Sequence, residues 1–493
     1  MLKRRFVTVS AAGNKIQKGM RVLYSKLKKE DSPGFTCSLL IVALIAGILI
    51  IGLSFDVPVG ILLLINTAVL TVSSLMLGVS YDRIEQGILK GVKRAINCVL
   101  ILVLVGTLIA TWIQCGTVPM LVYYGLGILD VKTILPVTCL LCAMLSVCIG
   151  TSWGTTGTIG IACVSVGVSM GIPVEICAGA AVSGAIFGDK ISPVSDTTIL
   201  ASSTSEINLY SHIRAMLKNV IPTLALSTAA YYFVGVRYAG NAMDMSLVQE
   251  VRTTLGGQFH FSPLLLLPLL LIVCMSITKK PAFPTIFLSA LLGSLLSVLI
   301  QKNNLADALT VMNTGFISDT GSTIVDTMLT KGGISSMMST IIVAVLALAM
   351  GGVLDEVGYM RAIVQRLIPH LKSDRSTVLA TVGIGIGLTL LCSNYFVVMV
   401  LLGSLFRQVY DDRDIHRSIL SRSMEDAITP TIAIIPWNTS CIYYTELFGL
   451  TSQTWAFYAF FCWGNVLFSV GATILGFFIR KAASEEEKLP NAL

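Results

Sequence analysis

The chain has 493 residues, of which 54% are hydrophobic and only 12% are charged. Soluble domains average about 25% charged residues, and the mean hydropathy here is +0.82. These values exclude a soluble globular enzyme and a disordered protein. The formal net charge of +7 is interpreted as a topology signal, and no nucleic-acid partner is expected.

Apolar blocks follow one another along most of the chain, each near the roughly 20 residues that a helix needs to cross a bilayer. The sequence therefore predicts an all-α polytopic membrane protein. The blocks are 35–55, 57–79, 95–113, 133–149, 155–170, 174–188 and 213–236, followed by 262–277, 282–300, 338–354, 376–391, 395–410, 418–435 and 452–479.

A polar stretch separates the two series of blocks and predicts a division into two halves. The predicted parts are a basic cytoplasmic arm at 1–34, a first transmembrane repeat at 35–238, an extracytoplasmic linker at 239–261, a second transmembrane repeat at 262–480 and a cytoplasmic tail at 481–493.

Both halves contain the pattern D-x-I-[ST]-P, at Asp189–Pro193 and at Asp426–Pro430. In each half, a polar interruption precedes this pattern, at 150–154 and at 392–395. The recurrence in the same order predicts an internal duplication. Each interruption divides a long apolar run into two short blocks, which is typical of a re-entrant hairpin.

A proline in each pattern is predicted to break the next helix, because proline cannot continue the hydrogen-bond ladder. Pro436 is predicted to break the second one again. Counting each hairpin as non-crossing gives about five spans per half, so the second repeat is inverted relative to the first. The predicted fold has about 10 spans plus 2 hairpins.

The distribution of basic residues agrees with this topology. With the N-terminus inside, 28 of the 34 Lys and Arg residues fall inside, five fall outside, and Lys190 lies at membrane depth. The prediction is a multi-pass protein of the cell inner or plasma membrane with both termini cytoplasmic.

Ionisable residues at membrane depth are costly and favour a functional interpretation. Asp189 and Asp426 occupy matching positions of the two halves, beside hydroxyl groups and a helix break. Carboxylates, hydroxyls and freed carbonyls are hard oxygen ligands suited to Na+, and broken helices are a recurrent place for such sites. The predicted ion- or proton-binding residues are Asp189, Asp196, Asp426, Glu425, Ser192, Thr197 and Thr429, with Na+ at Asp189, Asp196 and Asp426.

A carboxylate that binds either a proton or Na+, but not both, couples the two fluxes in opposite directions. Lys190 is predicted to be a charge partner, and its role stays open. It could pair with Asp189 or Asp196 until Na+ binds, it could neutralise Asp189 permanently, or the pair could be structural. The hairpin tips offer further ligands or helix caps, namely Thr151, Ser152, Thr155, Ser393, Asn394 and, beside the second helix break, Asn438.

Several motifs resemble the NhaC family of Na+/H+ antiporters. They are FGDKISPVSDTT at 187–198, TWIQCGTVPMLVYYG at 111–125, GTSWGTTGTIG at 150–160 and MEDAITPTIAIIPWNT at 424–439. The resemblance extends over about 36–480. It implies an ion transporter with inverted repeats and broken helices, and it places functional weight on Asp189, Asp196, Glu425, Asp426 and Asn438.

The resemblance implies sodium–proton exchange, and it leaves exchange of organic anions or of amino acids open as alternatives. One departure bears on the substrate: where relatives often have SDTTNLAP, this chain has SDTTILAS at 195–202. The change removes a polar amide near the predicted site.

Sodium–proton antiport is the leading hypothesis, with Na+ and H+ as partners and no cofactor. The alternative is Na+-coupled exchange of an organic anion or amino acid. Lys190 is the one basic residue expected deep in the membrane that could bind such an anion. An intramembrane enzyme is a distant alternative. The GxGD motif of aspartyl intramembrane proteases would need Gly at the position of Ile186, so Gly188–Asp189 does not complete it. A passive channel would not need a duplicated broken-helix core. Membrane lipid surrounds the chain, and a homodimer is a further expectation.

Overall fold

The computed structural model describes residues 33–481, apart from residues 56, 194, 240–244, 279, 393 and 451–452. The predicted basic arm lies outside the described residues up to position 32, and so does the predicted tail beyond Lys481. The described part of the chain is almost entirely helical, with two isolated β-bridges at Phe316–Lys331 and Ile415–Lys481. The predicted all-α class is confirmed.

The helices in chain order are α1 (Phe35–Ser54), α2 (Val59–Met76), α3 (Tyr81–Gln114), α4 (Thr117–Ile128), α5 (Ile134–Ile149), α6 (Ser152–Thr155), α7 (Ile161–Ser169), α8 (Val174–Ile191), α9 (Asp196–Thr204), α10 (Leu209–Ala239), α11 (Met245–Gln258), α12 (Leu267–Ile277), α13 (Ala282–Leu299), α14 (Leu305–Thr314), α15 (Thr323–Leu329), α16 (Met338–Val357), α17 (Tyr359–Leu367), α18 (Asp374–Cys392), α19 (Tyr395–Asp412), α20 (Arg417–Ile434), α21 (Thr439–Phe448) and α22 (Phe460–Leu475). A π-helical turn, Thr156–Gly160, joins α6 to α7.

Six helical segments in the described residues are long and apolar enough to cross a membrane: α1, α2, α3, α10, the segment Ser335–Val357 that contains α16, and α18. A bent pair, Gln249–Gln258 with Pro263–Met275, would make a seventh span. Other predicted blocks form shorter apolar helices, such as α5 and α22. The chain is therefore a polytopic membrane protein, and the count of about ten spans stays a prediction.

Several helices differ from the sequence-based expectation, among them α3, α4 and α11. Helix α3 begins at Tyr81, well before the predicted block at 95–113, because its first turns carry charges that lower the local hydropathy. Helix α4 was not expected as a separate element. Helix α11 lies within the stretch predicted to be a linker.

Glycines let the central helices approach one another closely. A Cβ on Gly91 of α3 would lie 2.1 Å from the carbonyl oxygen of Leu348 on α16, and one on Gly352 would lie 2.1 Å from that of Gly87. Between α5 and α8, a Cβ on Gly184 would lie 2.0 Å from the carbonyl oxygen of Cys139. Small residues of this kind allow backbones to pack where no hydrophobic force operates between helices.

The two helix breaks fall at different places in the repeated pattern. Helix α8 ends at Ile191, and α9 starts at Asp196, so Pro193 breaks the first helix as predicted. The prediction for Pro430 is wrong, since Pro430 lies inside α20. The break comes later, between Ile434 and Thr439, where Pro436 stands. Proline within a membrane helix is tolerated when surrounding groups satisfy the freed backbone.

Candidate ion-binding site

A cavity of about 190 Å³, with polar side chains in its wall, lies between the two halves of the chain. Its walls come from the segment between α5 and α6, from α6 and the end of α8, from the starts of α9, α19 and α21, and from α3, α16 and α20. Among the described residues, those that line it with polar side chains are Arg94, Thr151, Ser152, Trp153, Asp189, Ser195, Asp196, Thr197, Asn394, Tyr395, Thr429, Thr439 and Ser440. Both interrupted segments and both helix breaks therefore contribute to one cavity.

Asp189 lies in the last turn of α8 and is 7% exposed. Its Oδ1 accepts a hydrogen bond from the Ser195 hydroxyl at 2.6 Å, and its Oδ2 accepts one from the Ser152 backbone N–H at 3.2 Å. The Thr198 hydroxyl donates to the Asp189 carbonyl at 3.0 Å. The carboxylate thus joins the first interrupted segment to the first helix break.

Asp196 begins α9 and is exposed to the cavity. Within the described part of the chain, its carboxylate has no hydrogen bond or ion pair. The preceding Ser195 caps the helix by accepting a hydrogen bond from the Thr197 N–H at 3.3 Å. The helix dipole favours a carboxylate in the first helical turn.

Glu425 is fully buried in α20. Its Oε1 accepts a hydrogen bond from the Thr429 hydroxyl at 2.9 Å, and its Oε2 has no partner among the described residues. Thr429 also lines the cavity. The Thr429 hydroxyl therefore links the Glu425 carboxyl to the cavity wall.

Asp426 has a different environment from Asp189, although the sequence places them in matching positions. Lys190 donates to Asp426 Oδ1 at 2.9 Å and to the Glu425 carbonyl at 3.1 Å. Asn219 donates to Oδ2 at 2.6 Å, and Ser469 donates to the same oxygen at 2.9 Å. Asn465 donates to Oδ1 at 3.0 Å.

Lys190 thus pairs with Asp426 rather than with Asp189 or Asp196, the two partners considered from the sequence. Asp426 does not line the cavity. Both side chains of the pair are completely buried. A buried pair with this many donors is held in one arrangement, since a buried charge is tolerated only when it is paired and hydrogen-bonded.

Two arginines lie near the cavity or the Lys190–Asp426 pair, although the sequence predicts Lys190 as the one basic residue deep in the membrane. Arg422 is 1% exposed and lies 3.9 Å from Asp426 Oδ2, one turn earlier on the same helix. Arg94 lines the cavity. Both lie near stretches with other basic residues, so charge counting assigned them to loops.

The predicted tip residues divide into cavity-lining and capping groups. Thr151 and Ser152 line the cavity, as does Asn394, whose Oδ1 also caps α19 through the Phe396 N–H at 2.9 Å. Thr155 is buried and donates to the Thr151 carbonyl at 2.9 Å. Ser393 lies outside the described residues.

Ser192 and Asn438, the two predicted residues beside the helix breaks, are both buried. Ser192 donates to the Val147 carbonyl at 2.7 Å, which ties the first break to α5. Asn438 precedes α21 and is completely buried, and its Nδ2 has no partner among the described residues. Neither side chain lines the cavity.

Trp153 is a cavity residue that the sequence analysis did not single out. Its indole N–H donates to the Ser440 hydroxyl at 3.2 Å, and its ring stacks on Tyr443 with centroids 4.6 Å apart. These contacts connect the first interrupted segment to α21 of the other half. Both residues of the Trp153–Ser440 contact lie in polar motifs of the sequence, around 150–154 and 436–440. No local sequence pattern, however, shows that these two motifs meet in the fold.

A family model described as the Na+/H+ antiporter family matches residues 32–208 and 184–477. This chain belongs to the Na+/H+ antiporter family. Membership of an antiporter family points to a transporter rather than to an enzyme, and the apolar helices make it an integral membrane protein.

Relatives within the Na+/H+ antiporter family carry different substrate names. The chain is 34% identical to the malate-2H(+)/Na(+)-lactate antiporter of Bacillus subtilis over 80% of this chain and 85% of the relative. It is 31% identical to the Na(+)/H(+) antiporter NhaC of Alkalihalophilus pseudofirmus over 94% and 99%. It is 30% identical to the arginine/ornithine antiporter ArcD of Halobacterium salinarum over 92% and 94%. The resemblance to NhaC is confirmed.

Proposed function

We propose that the chain exchanges Na+ for H+ across the membrane at this cavity. The observation that carries the proposal is the pair of carboxylates at the first helix break. Asp189 is buried with hydroxyl and amide donors around it, and Asp196 faces the cavity without a described partner. Carboxylate and hydroxyl oxygens converge there, which is the ligand chemistry that suits Na+.

Competition between the two ions supplies the coupling. A proton on Asp189 or Asp196 removes the negative charge that attracts Na+, and bound Na+ disfavours the proton. Ser195 and Thr197 offer hydroxyl oxygens beside both carboxylates. Glu425, one hydroxyl away through Thr429, is the third carboxyl that we assign to proton binding.

We assign Asp426 a structural role instead of an exchanging one. Its two oxygens receive Lys190, Asn219, Asn465 and Ser469, so Na+ would have to displace existing donors. Lys190 and the nearby Arg422 balance the charge of Asp426, and Asp189 and Asp196 remain as the carboxylates that face the cavity. The proposal therefore separates two positions that the sequence pattern treats as equivalent.

We also propose that the two halves are inverted repeats with re-entrant hairpins. The support is that helices pack on helices of the other half, and that the corresponding helices do the reverse. Helix α3 packs on α13, and their counterparts α16 and α2 pack on each other; α8 packs on α22, and their counterparts α20 and α10 pack on each other. In each half, two helices meet at an interrupted segment, α5 with α6 and α18 with α19. With the basic residues concentrated on one side, we place both termini in the cytoplasm.

A second candidate function is Na+-coupled exchange of a small organic anion. Arg94 in the cavity wall favours it, because a guanidinium group binds a carboxylate through paired hydrogen bonds. The Bacillus subtilis relative is named for malate and lactate. In this structure, however, Arg94 is paired with an acidic residue.

Reconstitution into proteoliposomes that contain a pH dye tests the proposal. Addition of Na+ is expected to dissipate an imposed pH gradient, and Asp189→Asn and Asp196→Asn are expected to reduce this flux to background. Glu175→Gln, at the other end of α8, is the matched control and should transport like the wild type. Flux that requires malate, lactate or arginine would favour the second function, and normal flux in both aspartate variants would refute the site.

A further inference from the structure

Arg94 supplies the one Lys or Arg side chain among the described residues that line the cavity. It comes from α3 of the first half. The acidic side chains in the same wall are Asp189 and Asp196. A free guanidinium there would repel Na+ and attract anions, so its charge has to be balanced for a cation to bind well.

An acidic residue of the other half provides that balance. Both terminal nitrogens of Arg94, Nη1 and Nη2, lie 3.3 Å from Oδ2 of Asp355 on α16. The pair is partly exposed, with side-chain exposures of 37% and 30%. Asp355 itself is not part of the cavity wall. The pair therefore joins the two halves at the edge of the cavity.

We propose that the Arg94–Asp355 ion pair sets the preference of the cavity for cations by neutralising its basic side chain. The inference rests on the proposed sodium–proton exchange and adds two residues to it. Loss of Arg94 leaves Asp355 unbalanced and makes the surroundings more negative. Loss of Asp355 leaves Arg94 unbalanced and makes them more positive.

A second ion pair across the same helix crossing provides a matched control. Lys90 of α3 pairs with Glu356 of α16 at 2.5 Å, one turn away from Arg94 along α3. Neither residue lines the cavity. This second pair contributes to the same packing but lacks direct access to the ion.

The test measures the KM for Na+ of sodium-driven proton flux in proteoliposomes of the full chain. Arg94→Gln is expected to lower the KM and Asp355→Asn to raise it, each by roughly three- to tenfold, as for a unit charge in a partly screened site. The double variant Arg94→Gln/Asp355→Asn should return close to the wild-type KM. Lys90→Gln and Glu356→Gln should leave it unchanged.

Opposite shifts separate an electrostatic role from a structural one, because damage to the helix crossing would change both single variants in the same direction. Shifts of the same sign, no shift in either variant, or equal shifts in the Lys90 and Glu356 variants would overturn the inference while sodium exchange stands. Absence of sodium-driven flux in the wild type would overturn both the inference and the proposed function.

Discussion

At the scale of single residues, the two copies of the D-x-I-[ST]-P pattern place their aspartates in unlike surroundings. Asp189 faces the cavity, whereas Asp426 is enclosed by Lys190 and three neutral donors. The sequence pattern could not distinguish them, because the partner of Lys190 lies 236 positions away. Which carboxylate a buried lysine reaches depends on how the two halves pack, which local pattern does not contain.

We predict that Asp426→Asn strongly destabilises the protein, by about 3–5 kcal/mol, because it leaves Lys190 and Arg422 buried without their shared counter-charge. The measurement is thermal unfolding of the purified protein in detergent. The double variant Lys190→Gln/Asp426→Asn, which removes the charges of the closest pair, should recover part of the loss, because Arg422 still lacks its acidic neighbour. Asp307→Asn, on the exposed first turn of α14, is the control, and an Asp426→Asn protein as stable as the wild type would contradict the assignment.

At the scale of helices and their connections, hydropathy predicted several elements closely. Helices α18, α19 and α20 begin and end within two residues of the blocks at 376–391, 395–410 and 418–435. Hydropathy does not locate the start of a helix whose first turns carry charged residues, as those of α3 do. Those charges pair with acids on α16, so the helix is stabilised by contacts that a local average of hydropathy does not register.

Close packing of α5 against α8 leads to a prediction about Gly184. Replacement by alanine would place a Cβ 2.0 Å from the Cys139 carbonyl oxygen, so the helices must separate. We expect Gly184→Ala to cost about 1–3 kcal/mol of stability, as overpacking typically does. Thermal unfolding in detergent measures it.

The control for Gly184 is Gly383→Ala in α18, where an added Cβ meets nothing within 4 Å. Alanine is the better helix former, so this variant should be as stable as the wild type or slightly more stable. Equal melting temperatures for the two alanine variants would show that the close α5–α8 approach is not required.

Glu206, between α9 and α10, is bound by two arginines of the second half. Arg417 and Arg407 hold the pKa of its carboxyl below the ordinary value. A depressed pKa in the folded state contributes stability above the unfolded pKa, and this contribution disappears as the pH falls through the folded pKa. The network should therefore stabilise the protein at neutral pH and lose its effect in acid.

We expect Glu206→Gln to lower the melting temperature slightly at pH 7, consistent with the roughly 0.2–1 kcal/mol of an exposed ion pair. The difference from the wild type should shrink as the pH falls to about 4 and below. Melting curves across this pH range provide the measurement. A difference that stays constant with pH would contradict an electrostatic origin.

At the scale of the whole molecule, the cavity is formed by residues of both halves of the chain. Ser152 and Asp189 come from the first half, while Asn394 and Thr429 come from the second, and all four line the same space. The duplicated pattern and the polar interruptions predicted these segments from sequence. Their convergence, and the presence of Arg94 and Trp153 beside them, depends on packing between segments hundreds of residues apart.

In the proposed exchange, Na+ and H+ compete for the same cavity carboxylates. The KM for Na+, measured in proteoliposomes at a series of pH values, tests this competition. Competition predicts that the KM rises as the pH falls, approaching about tenfold per pH unit once the carboxylates are mostly protonated, with the maximal rate at saturating Na+ less affected. A KM that does not change with pH would contradict the claim, because Na+ would then bind at a site that protons do not share.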